Sequence, residues 1–597
     1  MKLSGAVLLA LPLVALGLVA QWLLPGATAR LATLLMIYVI AVVGTGVYTG
    51  NSGIMSFGHC GFMALGAYAS GLVTINPRIL HVALPHLPPM LHGLAGHSLW
   101  LGLVAALLVV AVTALVFGLP MARLGGEAAT IVTLGFLVIV YVVLVASGNI
   151  TRGSQTFFGI PSGLDPLTVM PIAALSVVLA RLYKESHSGL ALRAAREDDI
   201  AATSIGVNIP RERFAAWLLS ALLCGVAGAL LAHFLGAFSP KDFYFNLTFL
   251  LMAMLILGGI STVTGALGGT VVMFVVLQLL RQIEGGATIA GVHLPPMFGL
   301  TSIGGALVIL LSMYKLRDGL FGLRELDERF ADRLAAPGQA RTAAGRPGTG
   351  VERLVGKLEV DGVGRRFGGL IALEDVSFTV EPGQVVGLIG PNGAGKSTLI
   401  NAISGVVPAS SGTVRLGGHD VAQMPVHKVP LAGLGRTFQN IRLFRNLTVL
   451  ENVRAAAEAA GARGEAAVTE ARAALAAVGL AEMSGRLAAT LPYGAQRRLE
   501  IARALALRPS FLLLDEPAAG MNPTETNELI AVLRQIREDH SIGLMVVEHD
   551  LKLIMRLCDR IVVLNKGRKI AEGTPDEVRA DPHVVEAYIG SRAAEAV

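Results

Sequence analysis

Apolar residues run almost unbroken through ten stretches of the chain, near 4–24, 31–49, 54–75, 99–119, 128–147, 167–183, 214–236, 247–259, 265–282 and 297–314. Each approaches the ~20 residues that a helix needs to cross a bilayer, so the pattern predicts about ten transmembrane helices. After Lys315 the texture changes to short apolar runs bounded by Gly, Pro and charged residues: Val385-Val386-Gly387-Leu388-Ile389, Phe511-Leu512-Leu513-Leu514 and Ile542-Gly543-Leu544-Met545-Val546-Val547. Runs of that kind predict buried parallel strands. The expected fold class is multi-domain: an all-α polytopic membrane domain over 1–325, a flexible Ala/Gly/Pro/Arg linker over 326–353 and an α/β domain over 354–597.

Several spans are broken by glycine and polar residues, at 44–53, at Gly58-His59-Cys60-Gly61 and at 258–269. Lipid cannot satisfy the backbone groups such breaks expose, so protein or a wet cavity must cover them. Asn51, Ser56 and His59 lie there and are candidates to line a path; a hydrogen-bonded packing role is the preferred reading of His59. Lys and Arg concentrate around Arg123, in 184–213 and from Lys315 onward, and are scarce in 76–98, 148–166, 237–246 and 283–296. The positive-inside bias then puts Met1 and the α/β domain in the cytoplasm, which an even number of spans permits. A cleaved signal peptide is the lesser reading of the first segment, because its apolar run exceeds the usual 7–15 residues. Residues 189–206, alanine-rich and bracketed by glycines, read as a short surface helix through which the membrane helices could feel the soluble domain.

Composition sharpens this division. The chain has 597 residues, 53% hydrophobic and only 15% charged, with mean hydropathy +0.64, against about a quarter charged in an average soluble protein. The sequence pI near 9.3 does not point to nucleic acid, since the surplus Lys and Arg sit in loops beside apolar segments. Cys60, Cys224 and Cys558 have neither metal-ligand spacing nor the even count of a disulfide framework.

The chemistry is concentrated in the second half. Gly390-Pro391-Asn392-Gly393-Ala394-Gly395-Lys396-Ser397-Thr398 follows an apolar strand and precedes Leu399-Ile400, the context in which glycines aim backbone N–H groups at phosphates. Lys396 supplies a cation for the outer phosphates and Ser397 a hydroxyl for Mg2+. Asp515, at a strand end, would complete the magnesium shell, and Glu516 is the natural base or orienter for an attacking water. His549 emerges at another strand end, where it could contact the γ-phosphate or serve only as a cap. Gln439, on a loop, could reach magnesium or the water.

The order of these motifs, with Leu491-Pro492-Tyr493-Gly494-Ala495-Gln496-Arg497-Arg498-Leu499-Glu500 between Gln439 and Asp515, resembles the ABC transporter ATPases. More narrowly, Tyr493-Gly494-Ala495-Gln496-Arg497-Arg498-Leu499-Glu500-Ile501-Ala502-Arg503-Ala504 and Ala587-Tyr588-Ile589-Gly590 resemble the ATPases of the branched-chain amino acid importer family. Gly53-Ile54-Met55-Ser56-Phe57-Gly58-His59-Cys60, the segments 159–161 and 192–202, and Gly258-Gly259-Ile260-Ser261 resemble that family's permeases. The resemblance implies that residues 390–398 bind ATP phosphates, Phe367 stacks on adenine, Gln439 and Asp515 meet Mg2+, Glu516 is the catalytic carboxylate, His549 is the switch histidine and 189–206 docks on the ATPase as a coupling helix. The usual signature Leu-Ser-Gly-Gly-Gln is altered: Pro492, Tyr493 and Ala495 replace Ser, the first Gly and Gln. The hydroxyl donor is lost, and Gly494 with the helix start after it keeps backbone N–H groups for the phosphate.

Because a signature segment serves another subunit's phosphate loop, the resemblance implies pairing, as a homodimer or with a second permease and a second ATPase chain. It further implies a multi-pass protein of the bacterial cytoplasmic membrane, an extracytoplasmic solute-binding protein as partner, and a small-molecule substrate: branched-chain amino acids or, alternatively, urea, amides or aromatic acids. An exporter and a non-transporting membrane ATPase relay are rivals. The span count and 189–206 disfavour the first, and solute flux discriminates the second.

Overall fold

The computed structural model describes residues 2–286, 288–289, 292–293, 295–316, 318–328 and 353–589. The linker expected over 326–353 falls almost wholly outside them. The chain forms two compact units, Met1–Arg193 with Pro210–Gln339, and Ala194–Ile209 with Ala340–Val597.

In the first unit each of the ten apolar stretches coincides with a helix. Eight of the helices described are long and apolar enough to cross a membrane, from Ser4–Trp22 to Val263–Glu284. The other two, His59–Thr74 and Leu300–Lys315, have 16 residues each. The span expected to start at 54 begins at His59 because Gly53, with φ 73°, ends the preceding helix Gly26–Ser52 in the left-handed region and returns its N–H to Thr49 O at 3.0 Å. That conformation favours glycine.

Helix packing uses small residues. Gly66 lies against the Gly225 backbone and Gly228 against Met63 O, so His59–Thr74 and Ile209–Leu235 approach closely, as glycine-rich interfaces allow in membranes. Beside this contact Ser220 Oγ donates to Gly44 O at 2.6 Å and sits 2.5 Å from His59 Nε2. With the hydroxyl proton committed, Nε2–H is the donor in the second bond. Rings of Trp217 and Tyr48 enclose His59, at 5.4 and 6.0 Å. His59 is therefore a packed, hydrogen-bonded residue.

The break at 259–262 separates Phe245–Gly258 from Val263–Glu284 and leaves helix-initial amides to be satisfied. Thr262 Oγ1 accepts from Gly265 N at 3.0 Å. Fully buried Glu325 takes Val263 N at 2.8 Å, Thr264 N at 2.9 Å and Thr264 Oγ1 at 2.6 Å, and pairs with Lys184 Nζ at 2.7 Å. Burial opposes the charge, yet Lys184 and Arg181 outweigh it and hold the carboxyl down at about 2. Arg181 also binds Asp327 and Glu328, at 2.9 and 3.0 Å. The segment after the last helix is thus clasped to the end of Pro166–Glu185. Glu325→Ala strands a buried ammonium and two amides and should cost about 3–5 kcal/mol, read as a lowered unfolding temperature of the detergent-solubilised protein; an unchanged temperature would contradict the clasp.

The second unit carries a six-stranded sheet in the order Leu434–Arg436, Phe511–Asp515, Gly543–Val547, Val385–Ile389, Arg560–Asn565, Arg568–Gly573, parallel except for the last pair. The three central strands are buried at every position. A four-stranded antiparallel sheet runs in the order Leu370–Val380, Leu358–Phe367, Ser411–Leu416, His419–Asp420. Residues 189–206, expected as one surface helix, form two, His187–Glu197 and Asp199–Thr203. Asp198 divides them: its backbone is extended, and its carboxylate accepts Ala201 N at 2.8 Å as the second helix's N-cap, the role in which Asp is favoured.

Candidate functional site

Ligands of open parallel sheets bind beyond the carboxyl ends of the strands, and four neighbouring strands here end in candidate residues. The glycine-rich loop follows Val385–Ile389, Thr437-Phe438-Gln439 follows Leu434–Arg436, Asp515 and Glu516 end Phe511–Asp515, and Glu548-His549 follow Gly543–Val547. Gly390, Gly393 and Gly395 all have positive φ, and a Cβ on Gly395 would stand 2.8 Å from Ala372 O. Helix Lys396–Ile403 starts directly after Gly395, so Ser397 and Thr398 lie in its first turn, where backbone N–H groups have no intrahelical partners. Lys396 Nζ donates to Gly390 O at 2.7 Å and Pro391 O at 3.1 Å, holding the ammonium within the loop with one donor to spare. Burial depresses its pKa, and the charges of Glu516 and Asp515 partly offset this.

Asp515 is 4% exposed, and its Oδ1 has no hydrogen-bond partner. Burial raises its pKa, and Arg436 opposes the rise. A buried carboxylate oxygen lacking a donor fits a divalent cation. Gln439 has an exposed side chain, and its carbonyl accepts from Arg497. Glu516 adopts φ 48°, a strained backbone for a non-glycine residue. Its Oε2 lies 3.9 Å from His549 Nδ1.

Phe367 ends its strand 45% exposed with the Arg365 guanidinium 4.5 Å from the ring centroid. The partner strand Leu370–Val380 passes the glycine-rich loop at Ala372, so the Phe367 hairpin flanks the loop. Gly494 is buried on helix Tyr493–Leu505, and a Cβ there would meet Glu525 Oε1 at 2.9 Å.

Sequence reasoning passed over the buried charges that join these parts. Arg497 donates to Phe438 O at 2.7 Å, Glu500 accepts Arg442 N at 3.2 Å, and Arg503 donates to Arg442 O at 2.6 Å. Their spacing i, i+3, i+6 on one helix was the available signal. In the same unit, Arg442 Nη1 pairs with Asp198 at 2.8 Å, Asn446 Nδ2 bonds Glu197 at 3.0 Å, and Gly206 packs on Leu431. The segment Ala194–Ile209 is therefore tied to the loop that carries Gln439. All three cysteines are buried, and no cluster of three or more potential metal ligands from His, Cys, Asp and Glu occurs among the described residues.

Residues 27–311 match the model of the branched-chain amino acid transport system permease component, 373–519 that of the ABC transporter, and 568–594 that of the branched-chain amino acid ATP-binding cassette transporter. The chain is 44% identical over 248 residues to the high-affinity branched-chain amino acid transport ATP-binding protein BraF of Pseudomonas aeruginosa, a match covering 39% of this chain and 97% of BraF. It is 41% identical to LivG of Escherichia coli, described in the same words, with the same coverage. A solved structure, the ADP conformation of an ATP-binding cassette of an ABC transporter, is 31% identical, with a TM-score of 0.37 and coverage of 40% of this chain and 100% of that one.

Proposed function

Because this chain belongs to the branched-chain amino acid ABC transporter family, with permease and ATP-binding component on one polypeptide, we propose that it is the fused permease–ATPase subunit of an importer that takes up branched-chain amino acids or related small solutes across the bacterial cytoplasmic membrane. One observation carries the reading: residues 194–209 lie within the permease match yet fold in the unit that holds the ATPase.

In this reading ATP binds the loop 390–398, with its phosphates on backbone N–H groups and Lys396 and its adenine against Phe367. Ser397, Gln439 and Asp515 hold Mg2+, which when bound neutralises phosphate charge. Glu516 orients the water and takes its proton, and His549 faces the γ-phosphate. Gly494 offers its helix start to the partner's phosphates, so turnover requires pairing, as a homodimer or with a second permease and ATPase chain. An extracytoplasmic solute-binding protein delivers the cargo.

Lys396→Ala should weaken ATP binding about tenfold, the worth of one charge-assisted contact, read by fluorescent-nucleotide titration; undiminished affinity would remove the loop from its role. The function is tested in proteoliposomes with a solute-binding protein and an internal supply of ATP. Accumulation of a radiolabelled branched-chain amino acid that needs both supports the proposal. Urea, an amide or an aromatic acid accumulated in its place would change the cargo, and ATP hydrolysis without accumulation of any of them would favour a relay.

A further inference from the structure

The strand Gly543–Val547 ends in a glutamate before His549, and nothing in the nucleotide reading uses it. Glu548 is 1% exposed, and its two carboxylate oxygens are divided between two chain segments. Oε1 accepts Ala518 N–H at 2.9 Å, and Oε2 accepts His549 N–H at 3.2 Å. Oε2 also lies 3.6 Å from His549 Nδ1. The backbone reinforces this bridge, because Val547 O takes Glu516 N–H at 2.9 Å. The turn that begins at strained Glu516 therefore hangs from the end of the neighbouring strand by two bonds, one to a carbonyl and one to the Glu548 carboxylate.

Burying a carboxylate is costly unless donors surround it. Burial does raise the pKa of Glu548, and the amides of Ala518 and His549 oppose the rise. A residue needed only to fill this strand end would not have to be charged. We propose that Glu548 is a positioning residue whose bidentate carboxylate fixes the 516–518 turn against His549, setting the separation at which Glu516 and His549 act together on the water and the γ-phosphate. The proposal rests on the roles given above to Glu516 and His549.

Glutamine cannot replace this carboxylate. It keeps one acceptor oxygen, and its amide NH2 turns a donor toward one of the two backbone N–H groups. The bridge then opens on one side, and the spacing between Glu516 and His549 is lost while the phosphate loop is untouched.

The test is a double-mutant cycle on the full-chain assembly, with kcat and KM for ATP measured for the native protein, Glu548→Gln, His549→Ala and the double variant. Expected are a fall in kcat of about tenfold for Glu548→Gln with KM for ATP within about twofold, and less than about a twofold further loss when it is added to His549→Ala. The same tenfold loss in both backgrounds, or a KM rising in step with the fall in kcat, would overturn the positioning role. Unchanged kcat in His549→Ala alone would instead remove the site reading beneath it. Should Glu548→Gln fail to fold, hydrogen exchange on the native chain decides: peptides spanning 516–519 and 548–550 open together if bridged, and independent opening refutes the bridge.

Discussion

Glu516→Gln is expected to lower ATP turnover by at least about a hundredfold while leaving the affinity for ATP unchanged. The amide is isosteric, so the strained turn at φ 48° and the Glu516 N–H bond to Val547 O survive. What disappears is the negative charge that, in the proposed function, orients and deprotonates a water, a contribution worth about 10²–10⁴ in rate. In the proposed function nucleotide affinity depends on the loop 390–398, which the change leaves intact, so paired ATPase domains should accumulate in a closed state that crosslinking or electron microscopy detects. His549 is the competing base. In that case His549→Ala would carry the large loss and Glu516→Gln a small one, and turnover within about threefold of native would remove Glu516 from the role.

Parts of this site were legible in the chain because their local rules leave little choice. Strands Val385–Ile389 and Phe511–Asp515 lie where continuous apolar runs put them, since a strand covered on both faces has no polar face to alternate. The glycine-rich loop punctuates the first, and the helix after it starts at Lys396. Legibility failed wherever tertiary contact decides. Asp198 looks like one acid among three in the run Glu197-Asp198-Asp199, yet it divides a helix because its carboxylate finds Ala201 N. Glu548 and Glu500 look like surface charges next to an apolar strand and on an Arg-rich helix. Each is about 1% exposed and matched to donors from other segments, which no periodicity encodes. The break at 259–262 was visible, whereas Glu325, the residue that satisfies it, stands some sixty positions away in sequence and is joined only by the fold.

If residues 194–209 couple the ATPase to the permease, a second large effect follows. Arg442→Asp is expected to cut solute uptake per ATP hydrolysed by about thirtyfold, with hydrolysis itself within about threefold of native. The argument begins with how Arg442 is held: its N–H and carbonyl are bound by Glu500 and Arg503 of the helix that starts at Tyr493, while its guanidinium alone reaches Asp198. Changing the side chain leaves those backbone bonds in place and sets two carboxylates against each other, and a like-charge juxtaposition across a contact costs several kcal/mol. Solvent screening at half-exposed Arg442 reduces that figure, so a loss of one to two decades is the reasonable size at about 1.4 kcal/mol per decade. Adding Asp198→Arg restores an opposite-charge pair and should return uptake to within about fivefold of native, although the N-cap of Asp199–Thr203 is lost. Rescue separates coupling from misfolding, because a misfolded Arg442→Asp chain gains nothing from a second substitution. If Arg442→Asp alone transports at the native ratio, the force that ATP exerts on the permease does not pass through this contact.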